Sequence, residues 1–482
     1  MARSGGSRSR GAFARSGAMR RTPVLAGQRP LFTGSDHGTA IRLEPELFGP
    51  RQQGGGWGAS AEAFFRMNER LLMQMDVRIE LRTRSDGPNV FLLPGACAGA
   101  VPLRSATTGR VVSGLVVRPR FGWAGVGRVL ASIGWHASPT ILDAGMVPGS
   151  GREVPAWVLA GPAVARIAEL LRNSTRGYRE REEVLSNPRG RILWSNYVSN
   201  QLPRGSWHQL PCRFPDLTAD LKLRRYAKWT LGRIRRDLVE VAGRDPLGMM
   251  IASIVTRLLD DLRDVHPLIP RVDELRRALA SNQLLTEPIR HGVEAMAWIV
   301  EERGLGGGRE MDGLAWRLSL NELWEHHVEA VVRAEAALVG AEVRSGRLGQ
   351  TTFPLVWGAS ALRSMTKLVP DIVVRRGTAI TIVDAKYKAH FAEIDESGWR
   401  ALADDVHEAH RADVHQALAY AALFDANEIT TRLVYPLRIA TWRALVTRNR
   451  DVARAQLLYG GRRLTLELRG LPFGSVEGAW ES

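Results

Sequence analysis

The segment from Pro370 to Lys388 constrains this chain more than any other, because its pattern brings two aspartates and a lysine together. It reads Pro-Asp-Ile-Val-Val-Arg-Arg-Gly-Thr-Ala-Ile-Thr-Ile-Val-Asp-Ala-Lys-Tyr-Lys. Two apolar β-type runs, Ile372 to Val374 and Ala379 to Ala385, flank Gly377-Thr378. A two-residue loop with glycine first suits a type II′ hairpin turn. That register sets Arg376 opposite Ala379 and, counting outward, Asp371 opposite Asp384. Directly opposed residues share a face, with Cβ atoms roughly 4.5–5.5 Å apart. Period-two alternation then places Lys386 on the Asp384 face and turns Ala385 away.

Like charges placed opposite each other destabilise a sheet, so the pairing calls for a compensating cation. Mg²⁺ takes oxygen ligands, commonly one or two carboxylates plus waters and substrate phosphate. Such an ion offsets the repulsion, activates water and stabilises a leaving oxygen. Lys386 can orient that water or hold a phosphate oxygen as a point charge. Solvated charges on a surface hairpin are the competing reading. Against it, Ile380 and Ile382 share the face of Asp384 and Lys386, which predicts a strand buried at one end and functional at the other.

Pro-Asp followed by Asp-x-Lys resembles the signature of PD-(D/E)XK nucleases. The longer string, Pro370-Asp371-Ile372-Val373 with Val383-Asp384-Ala385-Lys386-Tyr387-Lys388, resembles the McrC family of restriction-system nuclease subunits. Upstream, Ser319 and Glu322 form a capping-box pattern, and Leu320, Trp324, Val328 and Val331 recur at helical spacing until Gly340. Leu323-Trp324-Glu325 resembles the Leu-Phe-Glu-like context in which McrC-like and RecB-like nucleases carry a helical acidic residue. The resemblance implies Glu325 as a third acidic group beside Asp371 and Asp384; a solvated helix glutamate is the plainer reading. Downstream, Gln416 and Tyr420 lie one helical turn apart, in the order of the Gln-x-x-x-Tyr element of RecB-like nucleases. They either contact DNA phosphates, as does Lys388 in this reading, or tie the helix to the sheet.

The amino-terminal two-thirds resemble the family more loosely. Gly114 to Arg120 is similar to a strand ending in a Pro-Lys-like step, Pro188 to Ile192 to an Arg-Gly-Arg segment, and Leu210 to Phe214 to a Cys-containing strand. An Asn-Arg pair expected near Leu223-Arg224-Arg225 is absent.

At 482 residues, two or three domains with real cores are expected. No apolar run approaches membrane-spanning length. Two cysteines, Cys97 and Cys212, give neither a disulfide framework nor metal-ligand spacing, as in a cytoplasmic protein. Net charge is +16, but residues 1 to 30 hold seven arginines and no acid; without them +9 remains. That tail reads as a disordered basic arm or as an extension from a mis-assigned start, in preference to an organellar transit peptide, whose acid-free, Arg-rich composition it shares without a clear amphipathic pattern. An α/β multidomain fold follows: a β-rich domain over 31–150, a mainly helical one over 151–303, and a nuclease-like mixed sheet flanked by helices over 309–482. The glycine-rich Gly304 to Gly308 serves as the linker.

Lys222 to Arg236 carries seven Lys or Arg and no acid, with Leu223, Ala227, Thr230, Ile234 and Leu238 at helical spacing. An amphipathic helix with a solvated basic face and a phosphate- or partner-docking surface both fit. His407 and His410 are one turn apart, with no third ligand nearby to suggest zinc.

The resemblance implies a Mg²⁺-dependent (Mn²⁺ substituting) DNA endonuclease subunit of a system directed at 5-methylcytosine in foreign DNA. It implies a separate AAA+ GTPase resembling McrB as partner, and the chain itself has no Gly-Lys-Ser/Thr phosphate-binding loop. The rival expectations are a stand-alone repair or mobile-element nuclease, and a subunit that stimulates a motor without cutting.

Overall fold

The computed structural model describes residues 31–48, 58–84, 87–135, 137–148, 154–174, 177–218, 221–241, 246–280, 286–300, 313–358, 365–398, 404–459 and 462–474. The basic tail and the Gly304 to Gly308 linker lie outside the described residues.

The first region runs β1 (Leu31–Ser35), β2 (Ile41–Leu43), α1 (Gly58–Gln74), β3 (Val77–Arg84), β4 (Gly87–Pro94), β5 (Cys97–Arg104), β6 (Val111–Arg118), α2 (Gly122–Ser132) and β7 (Thr140–Val147). Helix α1 forms where Ala61, Phe64, Asn68 and Leu72 recur on one buried face. Asn68 fastens it to β5: its amide donates to the Arg104 carbonyl at 2.9 Å and its oxygen accepts the Arg104 N–H at 2.8 Å. Phe64, Leu72, Leu92, Val101 and Leu115 fill the core between the helix and its two sheets.

The second region holds α3 (Trp157–Asn173), β8 (Gly177–Leu185), β9 (Arg191–Ile192), a short α4 (Trp194–Asn196), β10 (Leu210–Thr218), α5 (Lys222–Val241), α6 (Pro246–Asp261), α7 (Val272–Ala280) and α8 (Glu287–Val300). Helices α3 and α8 approach closely at Gly292, where a Cβ would stand 2.5 Å from Leu170 Cβ. The expected helical run is interrupted by an antiparallel arm, β8-β10-β9. The physical reason is visible in β8: Glu180, Arg181, Glu182 and Glu183 offer no apolar stripe for a helix to bury.

The third region comprises β11 (Gly313–Ser319), α9 (Leu320–Leu338), β12 (Glu342–Ser345), β13 (Phe353–Pro354), β14 (Lys367–Leu368), β15 (Ile372–Arg376), β16 (Ala379–Ala385), α10 (His390–Ser397), α11 (Asp404–Ala421), β17 (Glu428–Leu437), α12 (Ile439–Thr447), β18 (Val452–Tyr459) and β19 (Arg462–Pro472). Its six-stranded sheet has the order β12-β15-β16-β17-β19-β18. Pairing is parallel for β16-β17 and β17-β19 and antiparallel elsewhere. This is the α/β fold expected, a mixed sheet flanked by helices. On one face Trp324 and Val328 of α9 pack with Val383, Ala385 and Val434. On the other, Tyr420 and Ala421 of α11 pack with Ile380 and Ile382.

Strand β11 does not join this sheet. It pairs antiparallel with both β5 and β7, inside the five-stranded sheet β1-β6-β5-β11-β7. One continuous core then runs from Ala98 and Trp157 through Trp316 and Trp324 to Ala385 and Phe473. Among the described residues no helix is long and apolar enough to cross a membrane.

Candidate active site

The hairpin forms in the predicted register: Arg376 pairs with Ala379 and Ile372 with Val383, which sets Asp371 opposite Asp384 one step further. Gly377 takes φ +59° while Thr378 is not among the residues at positive φ, as a type II′ turn requires. The Asp371 carboxylate reaches across to accept the Ala385 N–H at 2.9 Å, beside the Asp384 carboxylate.

Burial first, and the Asp384 charge second, push the Asp371 carboxyl up to about 8. The Asp371 carboxyl therefore keeps its proton at neutral pH, which spares the site a second buried negative charge. Asp384 is only 3% exposed. Lys386 Nζ stands 2.8 Å from its Oδ2, yet at an angle that leaves this buried oxygen without a good hydrogen bond. Charge attraction without directional bonding leaves room for a further cationic partner.

Helix α11 fixes the lysine. Lys386 Nζ donates to Gln416 Oε1 at 2.8 Å, Gln416 Nε2 donates to Tyr420 Oη at 2.8 Å, and Tyr420 Oη donates to the Val369 carbonyl at 3.2 Å. Gln416 and Tyr420 thus tie helix to sheet, which is the second of the two readings open for them. Burial acts to lower the Lys386 pKa, but the charge of Asp384, with Asp413 behind, overrides it and raises the value. Lys386 is a firmly charged ammonium, not a general base.

Lys388, a DNA contact in the sequence reading, is paired with the buried carboxylate of Asp413 at 2.7 and 2.9 Å. Asp413 also lies 3.8 Å from Lys386 Nζ and 3.7 Å from His390 Nδ1. Burial, then Lys388, lowers the His390 pKa to about 4, so this ring is neutral at pH 7. Sequence reasoning gave Asp413 no role, although its spacing of three from Gln416 puts both on one helix face.

Helix α9 begins at Ser319, whose side chain accepts the Glu322 N–H at 3.3 Å. That cap orients the first turns, so Glu325 lies close enough to feel Asp384 and Lys386. Burial, then Glu322 and Asp384, raise its pKa. Among the described residues, however, no group of three or more His, Cys, Asp or Glu side chains is placed to hold one metal ion. The structure brings Asp371, Asp384 and Lys386 together, with Glu325 nearby but not as a third carboxylate of a closed cage.

A second group missed in the sequence anchors the strand from behind. Tyr387 Oη donates to Asp36 Oδ2 at 3.0 Å, and Asp36 also accepts the Arg120 backbone N–H. The Arg120 guanidinium lies 4.5 Å over the Tyr387 ring. Asp36 and Arg120 follow β1 and β6, so the first region grips the residue between the two lysines. No sequence signal linked positions 351 residues apart.

Elsewhere, α5 buries Tyr226, Ala227, Thr230, Leu231, Ile234 and Leu238. Much of its basic face has partners within the chain: Lys222 pairs with Glu274 at 2.8 Å, Lys228 donates to the Leu262 carbonyl at 2.9 Å, and Arg224 to the Ser174 carbonyl at 3.0 Å. Arg235 and Arg236 remain exposed. The helix has the solvated, amphipathic character that was one of its two readings.

A family model described as McrBC 5-methylcytosine restriction system component matches residues 163–436. Among solved structures, the chain is similar to a refined half-complex from the tetradecameric assembly of Thermococcus gammatolerans McrB AAA+ hexamers with bound McrC. That match has 14% identity, covers 92% of this chain and 96% of that chain, and has a TM-score of 0.40. The cryo-EM structure of the Thermococcus gammatolerans McrBC complex matches at 15% identity over 63% of this chain and 88% of that chain, with a TM-score of 0.27. No curated protein matches.

Proposed function

This chain belongs to the McrBC 5-methylcytosine restriction system component family, and from that premise we propose that it is the system's Mg²⁺-dependent DNA endonuclease subunit, of the McrC kind. The observation that carries the reading is the convergence of Asp371, Asp384 and Lys386 at the open end of an otherwise buried hairpin. Two opposed carboxylates, with Asp371 holding a proton, form a site a divalent cation fits, since it can replace that proton and satisfy Asp384 Oδ2. Asp371 and Asp384 would hold the ion, which when bound supplies Lewis-acid polarisation of the phosphodiester and a more acidic water. Glu325 contributes from outside, orienting a water.

Lys386 presents a fixed positive charge, held by Asp384 and Gln416, to an attacking water or a non-bridging phosphate oxygen. Asp413, bonded to Lys388 and 3.8 Å from Lys386 Nζ, offsets the repulsion between the two lysines. Tyr420 positions Gln416 and through it the lysine.

The motor is a separate AAA+ GTPase of the McrB kind, as the family premise and the missing phosphate-binding loop imply. The arm β8-β10-β9 supplies a surface for it: Trp207 is 70% exposed, with Trp194, Val198 and Leu202 also exposed nearby. Contiguous exposed apolar side chains of this kind mark protein contacts.

The test is Asp384→Ala and Lys386→Ala in the full chain, with cleavage of methylated duplex, melting and motor association measured together. Cleavage should vanish while the other two persist. A variant that still cuts at near-parental rate with Mg²⁺ removes these residues from the chemistry.

A further inference from the structure

Strands β13 and β14 form a small antiparallel hairpin, Phe353 opposite Leu368 and Pro354 opposite Lys367. It leads straight into Pro370-Asp371, so it rises from the carboxylate end of the large sheet. Three contacts fix its base there. Thr351 Oγ1 donates to the Pro370 carbonyl at 2.6 Å, Tyr420 Oη donates to the Val369 carbonyl at 3.2 Å, and the Phe353 ring meets Phe424 edge-on at 5.3 Å.

Beyond that base the large apolar side chains turn outward. Val356 is 94% exposed, Met365 61% and Trp357 48%. Trp357 Nε1 donates to the Met365 carbonyl at 2.8 Å, which holds the indole across the two strands. Lys367, at the base, is exposed. From Val343 to Pro370 the chain carries no aspartate or glutamate. Among the described residues of that span, Arg344 pairs with Glu342 and Arg347 with Glu329, while Lys367 stands exposed at the base. Exposed apolar groups beside such a lysine suit nucleic acid: sugars and base faces meet the apolar groups, a phosphate the lysine.

We propose that Val356, Trp357 and Met365, with Lys367 at their base, form a DNA-contacting wedge that packs against bases beside the phosphodiester to be cut at the Asp371, Asp384 and Lys386 site. This rests on the nuclease reading above and adds the element that grips the strand to be cut. Position carries the argument. The hairpin is tied to Val369 and Pro370, hence to the same Tyr420-Gln416-Lys386 chain that fixes the lysine.

The experiment uses the full chain carrying Asp384→Asn, chosen to remove cutting, and a fluorescein-labelled methylated duplex with Ca²⁺. Val356→Asp and Met365→Ser leave the Trp357 tie intact and should each weaken binding by about tenfold, the scale of one lost base contact. Lys367→Ala should lower the log–log salt slope by about one. A duplex with 2-aminopurine should brighten on binding to the Asp384→Asn chain, and less so with Val356→Asp. Unchanged affinity in both apolar variants, with a binding parent, overturns the wedge alone. Absence of DNA binding by the Asp384→Asn chain overturns the nuclease reading and the wedge with it. Intact DNA affinity with lost stimulation of motor GTP hydrolysis would assign the hairpin to a protein partner and likewise overturn the wedge.

Discussion

Asp371→Asn probes the carboxylate pair most directly. In the folded chain burial and the Asp384 charge hold the Asp371 carboxyl at about 8, against a reference value of 3.8. An acid whose folded pKa is raised keeps a proton that the unfolded chain has released. Stability from this group is therefore fully present below about pH 4, falls as pH rises toward about 8, and is flat above. About four units at 1.36 kcal/mol each set a ceiling of roughly 5–6 kcal/mol. Relaxation and water entry reduce the expected local effect to about 1–3 kcal/mol. Asparagine keeps an acceptor for the Ala385 N–H and can donate to Asp384, but has no proton to lose. Hydrogen exchange of peptides covering residues 372–388, without divalent metal and corrected for intrinsic rates, is the assay. Parental protection should decline between pH 5 and 8, whereas the variant stays level and ends about tenfold better protected at pH 8. Mg²⁺ at pH 8 should restore the parent and leave the variant little changed. A level parental profile, or a variant less protected than the parent at pH 8, refutes the account of a proton kept by Asp371.

Other outcomes follow from the same contacts. Tyr387→Phe removes the hydroxyl that donates to buried Asp36 and should cost about 1–3 kcal/mol in denaturation, and an unchanged midpoint would show the bond to be idle. Asp413→Asn takes away one of the charges that raise the Lys386 pKa, so the alkaline limb of the cleavage pH profile should move to lower pH; an unmoved limb would exclude Asp413 from this role. The purified chain should turn over neither GTP nor ATP but should accelerate a motor's hydrolysis, and turnover by the chain alone would contradict the division of labour.

The hairpin was legible in the sequence because its determinants are local. Gly377 permits the positive φ of the turn, and period-two alternation then fixes which side chains share a face. Asp371, Asp384 and Lys386 converge for that reason alone. The Ser319 cap and the apolar stripe of α9 were legible for the same reason, since a cap and a stripe span a few turns. Sequence spacing also put Gln416 and Tyr420 on one face of α11, but not what they touch: only the packing of that helix on the sheet decided that Gln416 receives Lys386 and Tyr420 the Val369 carbonyl. Lys388 shows the limit from the other side, because a lysine near a candidate site reads as free until a buried carboxylate, Asp413, folds onto it. The glycine-rich stretch marks a composition change, but it could not show that β11 pairs with β5 and β7 in the amino-terminal sheet. Nor could local pattern foresee Asp36 and Arg120 gripping Tyr387. Sequence by itself determined the elements whose hydrogen bonds and alternation close within one hairpin or one helix. Tertiary structure alone decided the contacts between elements far apart in the chain, because burial, not spacing, selects which charges must meet.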